Sequence, residues 1–342
     1  MTIKQPIIFI ESDFDIKIAE ARIIKSPFRQ HNKFKRLIVD SYYSLYLLLA
    51  PYRATIIAPW GLFWIPALWK RLGLKKFKII SLSCDTFLSE KTKNNRTKGL
   101  IPKFKYQVAK FSCLAVDFFA CCSDVVSEQI IKFGVPSEKC VFRYREWVRD
   151  VERYKRFQRL QPSLDKNNFI FIGYCYSLLQ KGADLLVEAF LLICKNNPEA
   201  TLTVIGYGWP EFFGSDRVKE LAKSNIFIVG EIYNIDDYLK SAAFYIHPGE
   251  LEGFGVAILE SMLAGLIPIV SDSTGAAEAV SQVSPDLIFP LSVAAMTQKI
   301  IWAVSLNGSI RLKLSDQARE VAKTYNQEIS IPELQKNLKK YL

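Results

Sequence analysis

The stretch "FYIHPGELEGFGVAILESMLAGLIPIVS", residues 244–271, decides how this chain is read. "FYIHP" is the apolar run of a buried strand, and a glycine-rich loop carrying Glu250 and Glu252 follows it. Next comes an apolar segment of helical period closed by Gly265, and "IPIVS" reads as another strand. Strand, loop, helix and strand make one βαβ unit, whose strands pair in parallel and whose ligand edge is the loop after the first strand. Glu252 stands before a Gly-Phe-Gly turn in that loop, and Glu260 lies in the helix beyond it. One explanation is local: acidic residues favour a helix start, and Glu260 is then a solvated helix residue. The other is a ligand site. The amides of Phe254, Gly255 and Val256 would leave the helix N-terminus as anion donors, and Gly253 and Gly255 would admit a phosphate close to the backbone. Glu252 would then reach the ligand, and Glu260 would accept two vicinal hydroxyls such as a ribose presents.

Outward from this unit the pattern repeats. "NFIFIG" (168–173), "KGADLLVEAFLLICKN" (181–196), "TLTVIG" (201–206) and "IFIVG" (226–230) read as strand, helix, strand and strand. The N-terminal half does the same with "PIIFIE", "ATIIAP", "KFKIISLS" and "FFACCS", followed by a helix that Ser123 caps and Gly134 ends. Strands apolar throughout, alternating with helices, imply parallel sheets covered on both faces. At 342 residues the chain exceeds the roughly 100–200 residues of one domain, so two are expected. The highly charged stretch 149–168 reads as the linker. The fold class is therefore α/β, with two Rossmann-like doubly wound domains facing a central cleft: residues 1–150, residues 151–325, and a last helix over 326–342 that crosses back.

Composition narrows the partners. Half the residues are hydrophobic and 23% charged, as in an ordered globular chain. Residues 1–150 hold 26 Lys and Arg against 13 Asp and Glu, whereas residues 151–342 hold 19 against 21. The net charge of +11 therefore lies wholly in the first half, which calls for an anionic partner. In "WGLFWIPALWKRLGLKKFK" (60–78), Trp60, Phe63, Trp64 and Trp69 accompany five basic residues, as in a segment lying on an anionic membrane surface; a core helix followed by a basic turn reads equally well. The basic loop "EKTKNNRTKGLIPKFK" (90–105) is placed on the acceptor side. No nucleic-acid module is recognisable, so no nucleic acid is expected. Seven cysteines, an odd number without CxxC spacing, point to a reducing cytosol. The opening "MTIKQPIIFIESD" lacks a secretory apolar core, and "LIVDSYYSLYLLLAPY" is too short to span a bilayer.

"HPGELEGFGVAILESMLAGLIPIVSDSTGAAE" resembles the signature of family 4 glycosyltransferases of GT-B fold, with its E-x7-E at Glu252 and Glu260. "QKGADLLVEAF" and "VDFFACCSDVVSEQIIKFGVPSEKCVF" resemble two further blocks of the family, so the likeness runs over roughly residues 77 to 290. The resemblance implies a retaining transferase that moves a sugar from a nucleotide diphosphate donor to an acceptor, here a lipid-linked or other anionic glycan precursor, with no metal and no cofactor. It puts Glu252 at the donor sugar, Glu260 on the ribose, and Lys181 with the Phe254 and Gly255 amides at the departing diphosphate. Gly206 and Gly208 match a glycine turn near the nucleotide, although any strand end carries such turns. A sugar-nucleotide epimerase on the same fold, or a nucleotide-sugar-binding protein of weakened turnover, fits the same motifs.

Departures from the family pattern matter too. After Gly173 the family commonly has an Arg, and this chain has Tyr174; Arg145 or Arg143 is expected to stand in for it at the diphosphate. Where a His often follows "KFKIISLS", the chain has Cys84 and Asp85. Asp85 either orients the acceptor hydroxyl as a weak base or caps a turn. His247 either packs against the donor or belongs to the framework. "SDFD", with Asp13 and Asp15, is read as a solvated loop and not as a metal motif.

Overall fold

The computed structural model describes residues 6–11, 21–25, 42–59, 64–84, 110–164, 167–175, 181–195 and 197–342. Packing divides the chain into two units, Met1–Arg145 with Ser330–Leu342, and Glu146–Ile329. The first holds one six-stranded sheet built from β1 (Ile7–Glu11), β2 (Ala21–Lys25), β3 (Arg53–Pro59), β4 (Lys76–Ser83), β5 (Phe118–Cys121) and β6 (Cys140–Arg143). Its order is β2-β1-β3-β4-β5-β6, and every pair is parallel. β4 buries its last five residues without alternation, because a central parallel strand is covered on both faces. After β5, Ser123 caps the helix Asp124–Lys132, its hydroxyl accepting from the Val126 amide at 3.2 Å. Tyr341, in the segment that rejoins this unit, lies against Phe118 and Phe142 with ring centroids 5.1 and 5.6 Å away.

The second unit carries β7 (Asn168–Ile172), β8 (Thr201–Ile205), β9 (Ile226–Val229), β10 (Phe244–His247), β11 (Ile267–Ser271) and β12 (Ile288–Phe289). Its order is β12-β11-β10-β7-β8-β9, again all parallel. The chain therefore winds outward from β7 to β9, returns to the other side of β7, and winds outward again. That reversal makes the carboxyl ends of β7 and β10 the switch point where ligands of such sheets bind. Phe169 of β7 stacks on Phe244 of β10 at 4.7 Å and meets Phe190 edge-on at 5.4 Å, so one aromatic cluster holds the two strands under their covering helix.

Four helices of this unit matter below: α1 (Val151–Phe157), α2 (Ala183–Ile193), α3 (Val256–Leu263) and α4 (Gly308–Lys323). α1 corrects the reading of 149–168 as linker. Asp150 caps it, accepting from the Arg153 amide at 2.9 Å, and Phe157 and Leu160 are buried while Glu152, Lys155 and Arg156 are exposed. Arg319 of α4 then ties α1 to α3. Its guanidinium donates to the carbonyls of Leu263 (2.9 Å) and Ala264 (2.8 Å) at the end of α3, and of Leu160 (2.5 Å) and Gln158 (3.3 Å) just after α1. These are the carbonyls that helix ends leave unpaired. Arg319→Met strands them together, and we expect it to lower the unfolding free energy by about 2–4 kcal/mol in urea titrations followed by circular dichroism.

Candidate functional site

The switch point is assembled by one close approach. Gly182, φ +59°, lies so near the end of β10 that a Cβ on it would sit 2.3 Å from the Pro248 carbonyl oxygen. No side chain fits there, and the preceding Lys181 is thereby brought beside the loop that follows β10. Its Nζ donates to Glu252 Oε2 at 2.6 Å. His247 Nε2 stands 3.5 Å from the same oxygen, while no described residue donates to Oε1.

Electrostatics follow from this geometry. Burial alone would raise the Glu252 carboxyl, but the Lys181 ammonium and the His247 ring outweigh it and hold the group at about 2. Burial lowers His247, against the pull of Glu252, and keeps the ring neutral. The ring is stacked against Phe171 at 5.5 Å, and its Nδ1 is 3.3 Å from the Tyr245 hydroxyl, which donates to the Ile172 carbonyl at 3.2 Å. With 1% of its surface exposed, His247 is buried against Glu252 as a framework residue would be.

The loop itself is pinned from below. Glu252 and Phe254 accept through their carbonyls from the Gly275 and Ala276 amides at 3.0 and 2.9 Å, and the Ser271 and Thr274 hydroxyls donate to the Gly249 carbonyl. Leu251, immediately before Glu252, is held at φ +58°, a left-handed conformation that costs a bulky residue about 1–2 kcal/mol. Gly255 caps α3 at φ +88°, where a Cβ would meet the Ile258 side chain at 2.8 Å. Among the described residues no backbone carbonyl accepts from the amides of Phe254, Gly255 or Val256, so the positive end of α3 presents them unpaired.

Glu260, one helix face further on, is paired with Arg153 of α1 at 3.3 Å. Burial raises its carboxyl, and the arginine works against that rise. Sequence reasoning missed Arg153 because α1 was taken for a linker; the Asp-x-x-Arg start of a capped helix was its signal. Gly173 follows β7 and accepts through its carbonyl from Trp209 Nε1 at 2.6 Å, and the turn of Gly206 and Gly208 lays that buried indole beneath it. Tyr174 is half-exposed at the same strand end. Phe254 is buried as a whole residue, with Gly253 and Gly255 on either side of it buried too. Gly253 sits in the pinned loop. Arg145 and Arg143 lie in the first unit, where Arg145 is 3.7 Å from Glu333 and Arg143 pairs with Asp124. Cys84 follows β4 and is partly buried. Asp85, Asp13, Asp15, Trp60, Phe63 and the basic loop 90–105 lie outside the described residues. Among the described residues, no three His, Cys, Asp or Glu side chains gather as metal ligands do.

Two parallel doubly wound sheets, the second with unpaired helix amides between two carboxylates at its switch point, define an α/β protein of GT-B architecture. Residues 153–321, within the second unit, are similar to the family described as "Glycosyl transferases group 1". The lipopolysaccharide core biosynthesis mannosyltransferase LpsB of Rhizobium meliloti is 31% identical over 137 residues, 35% of this chain and 38% of that protein. The chain thus spans well under half the length of that curated relative. Sucrose-phosphate synthase from Thermosynechococcus elongatus superposes with a TM-score of 0.67 at 14% identity, covering 99% of both chains. Anabaena HepE, crystallised with UDP and glucose, gives 0.65 at 14% identity over 99% of this chain and 100% of its own.

The depressed carboxyl of Glu252 sets a pH test. A group lowered from 4.5 to about 2 on folding stabilises the protein above the higher value, and that contribution fades as pH falls through the lower one. We expect about 3 kcal/mol of stability to disappear across this range, and Glu252→Gln to lose correspondingly less, in urea titrations at successive pH values.

Proposed function

We propose that the protein is a retaining, metal-independent glycosyltransferase of family 4 that moves a hexose from a nucleotide diphosphate sugar to a lipid-linked or other anionic glycan precursor at the cytoplasmic face of a membrane. The observation that carries this reading is the Lys181–Glu252 pair beside the unpaired amides of α3. A phosphate-leaving reaction needs positive charge where the leaving group's negative charge grows, and fixed amides with one ammonium supply it without reorganisation. In this reading Glu252 Oε1 accepts from donor sugar hydroxyls while Lys181 releases part of its bond to Oε2 and turns to the diphosphate. Glu260 accepts the ribose hydroxyls and keeps Arg153 as its counter-ion. The bond from the anomeric carbon to the diphosphate oxygen breaks, the acceptor hydroxyl oxygen bonds to that carbon on the same face, and the hydroxyl proton passes to the departing diphosphate oxygen. His247 and Tyr245 orient Glu252 from behind.

The mannosyltransferase relative and the structural neighbour that holds UDP and glucose support a nucleotide-sugar donor. The basic first unit supports an anionic acceptor and no nucleic acid. A panel of nucleotide diphosphate sugars, with and without lipid-linked acceptor, tests the assignment through nucleotide release and glycosylated product. We expect Lys181→Ala to lower kcat by roughly 100- to 1000-fold. Glu260→Ala should weaken donor binding roughly 10- to 100-fold; unchanged donor affinity in that variant would remove the ribose role, and nucleotide-sugar epimerisation without acceptor would replace transfer altogether.

A further inference from the structure

The first unit bears a feature that glycosyl transfer does not use. The helix over 42–49 carries no charged residue, and it buries Tyr43 and Leu47 on one side, with Ala50 just beyond its end. On the other side Leu45, Leu48 and Leu49 face outward and Tyr52 continues the row, with Leu49 79% and Leu45 60% exposed. The turn after the helix Trp64–Arg71 joins this face: the Lys76 amide donates to the Tyr52 carbonyl at 2.8 Å, Lys75 Nζ donates to the Ala50 carbonyl, and Leu72 and Leu74 are exposed. Trp64 and Trp69, expected from the sequence to form the interfacial surface, are half-buried, so among the described residues the apolar surface is leucine-built, with Leu72 and Leu74 of that stretch part of it.

Beside it, at the amino ends of β3 and β4, opens a pocket of about 500 Å³ lined by Arg53, Lys70, Lys75, Lys76, Lys78 and Asp117. Asp117 is already satisfied by Lys70 Nζ at 2.5 Å and the Ile79 amide at 2.7 Å. Among the described residues no carboxylate pairs with Arg53, Lys75, Lys76 or Lys78. Four cations without a carboxylate partner among the described residues thus rim a hollow next to a bare leucine face, Lys75 held on the Ala50 carbonyl and Lys78 over the Phe118 ring at 5.5 Å.

We propose that this surface docks the protein on an anionic phospholipid bilayer, the leucines entering the acyl boundary and the pocket taking a lipid phosphate. A nucleic acid answers the cations and leaves the leucines in water. A second copy meeting the same face would bring two basic pockets together and cost repulsion. A bilayer with anionic headgroups answers both halves of the surface at once. No helix among the described residues is long and apolar enough to cross a membrane, so the attachment is peripheral there. The docking surface lies at the amino edge of its sheet, the end opposite the carboxyl edge where ligands of such sheets bind.

The test is co-sedimentation of the full chain with phosphatidylglycerol/phosphatidylcholine vesicles and with pure phosphatidylcholine vesicles, read without donor or acceptor so that its outcome is separate from that of the transferase assay. We expect binding to the anionic vesicles only, weakened by salt. Arg53→Glu with Lys76→Glu should weaken it more than about tenfold. Leu45→Ser with Leu49→Ser should abolish the binding that survives high salt, and inorganic phosphate should not displace the protein. Circular dichroism checks that both variants, altered at exposed positions, remain folded. The proposal is overturned if the wild-type chain ignores anionic vesicles, if both variants bind as it does, if duplex RNA binds in place of vesicles, or if the serine variant changes only the oligomeric state in light scattering.

Discussion

One arginine holds the second unit's working parts in register. Arg319 reaches from α4 to the carbonyl ends of α1 and α3 together, joining two helices that share no strand and are far apart in sequence. α1 carries Arg153 and α3 carries Glu260, so the clamp also fixes the distance at which those two charges meet. Burial lowers the arginine's own affinity for its proton, against the pull of Asp316; a guanidinium nonetheless keeps its charge in proteins, which keeps the clamp closed. Hydrogen bonds from a charged donor to several carbonyls are the strong kind, and they are made here where two helix ends would otherwise leave acceptors bare.

Around Glu252 the structure distributes constraint unequally. One oxygen is committed to Lys181 and backed by His247, while the loop below is pinned by two amides and two hydroxyls and forced through a left-handed leucine. Such strain persists only where neighbouring contacts over-determine the backbone. The result is a carboxylate fixed in place and ionised at any physiological pH, with its free oxygen presented next to three unpaired amides. Anion donors and a hydroxyl acceptor are thereby ready before any ligand arrives, which is the condition for electrostatic stabilisation at low reorganisation cost.

How much of this the sequence disclosed depends on whether a signal was local. The central strands were legible because parallel strands buried on both faces are apolar end to end, as "NFIFI" and "FYIH" are. β2 and β6 went unread: both are edge strands, and the charged "ARIIK" and the short "CVFR" look like connections. Glu252, Glu260 and Lys181 stood out through spacing and glycine context. That Lys181 and His247 share one oxygen of Glu252 was not legible, since the Gly182 approach to Pro248 that brings them together joins residues 66 positions apart in the sequence. Arg153 was hidden by its own neighbours, because a capped helix this rich in charged residues has the composition of a linker. The leucine face of 42–49 was hidden for the opposite reason: an uncharged helix reads as core until its surroundings show one side uncovered.

The return of Ser330–Leu342 to the first unit has a consequence for the order in which the chain can mature. The second unit is continuous in sequence and holds everything its sheet requires once residue 329 has been made. The first is split: Tyr341 covers Phe118 and Phe142, and Glu333 answers Arg145, only after the whole intervening unit has left the ribosome. During synthesis the edge formed by β5 and β6 therefore waits with its aromatic residues uncovered while the second unit folds. The domain made first is the one completed last.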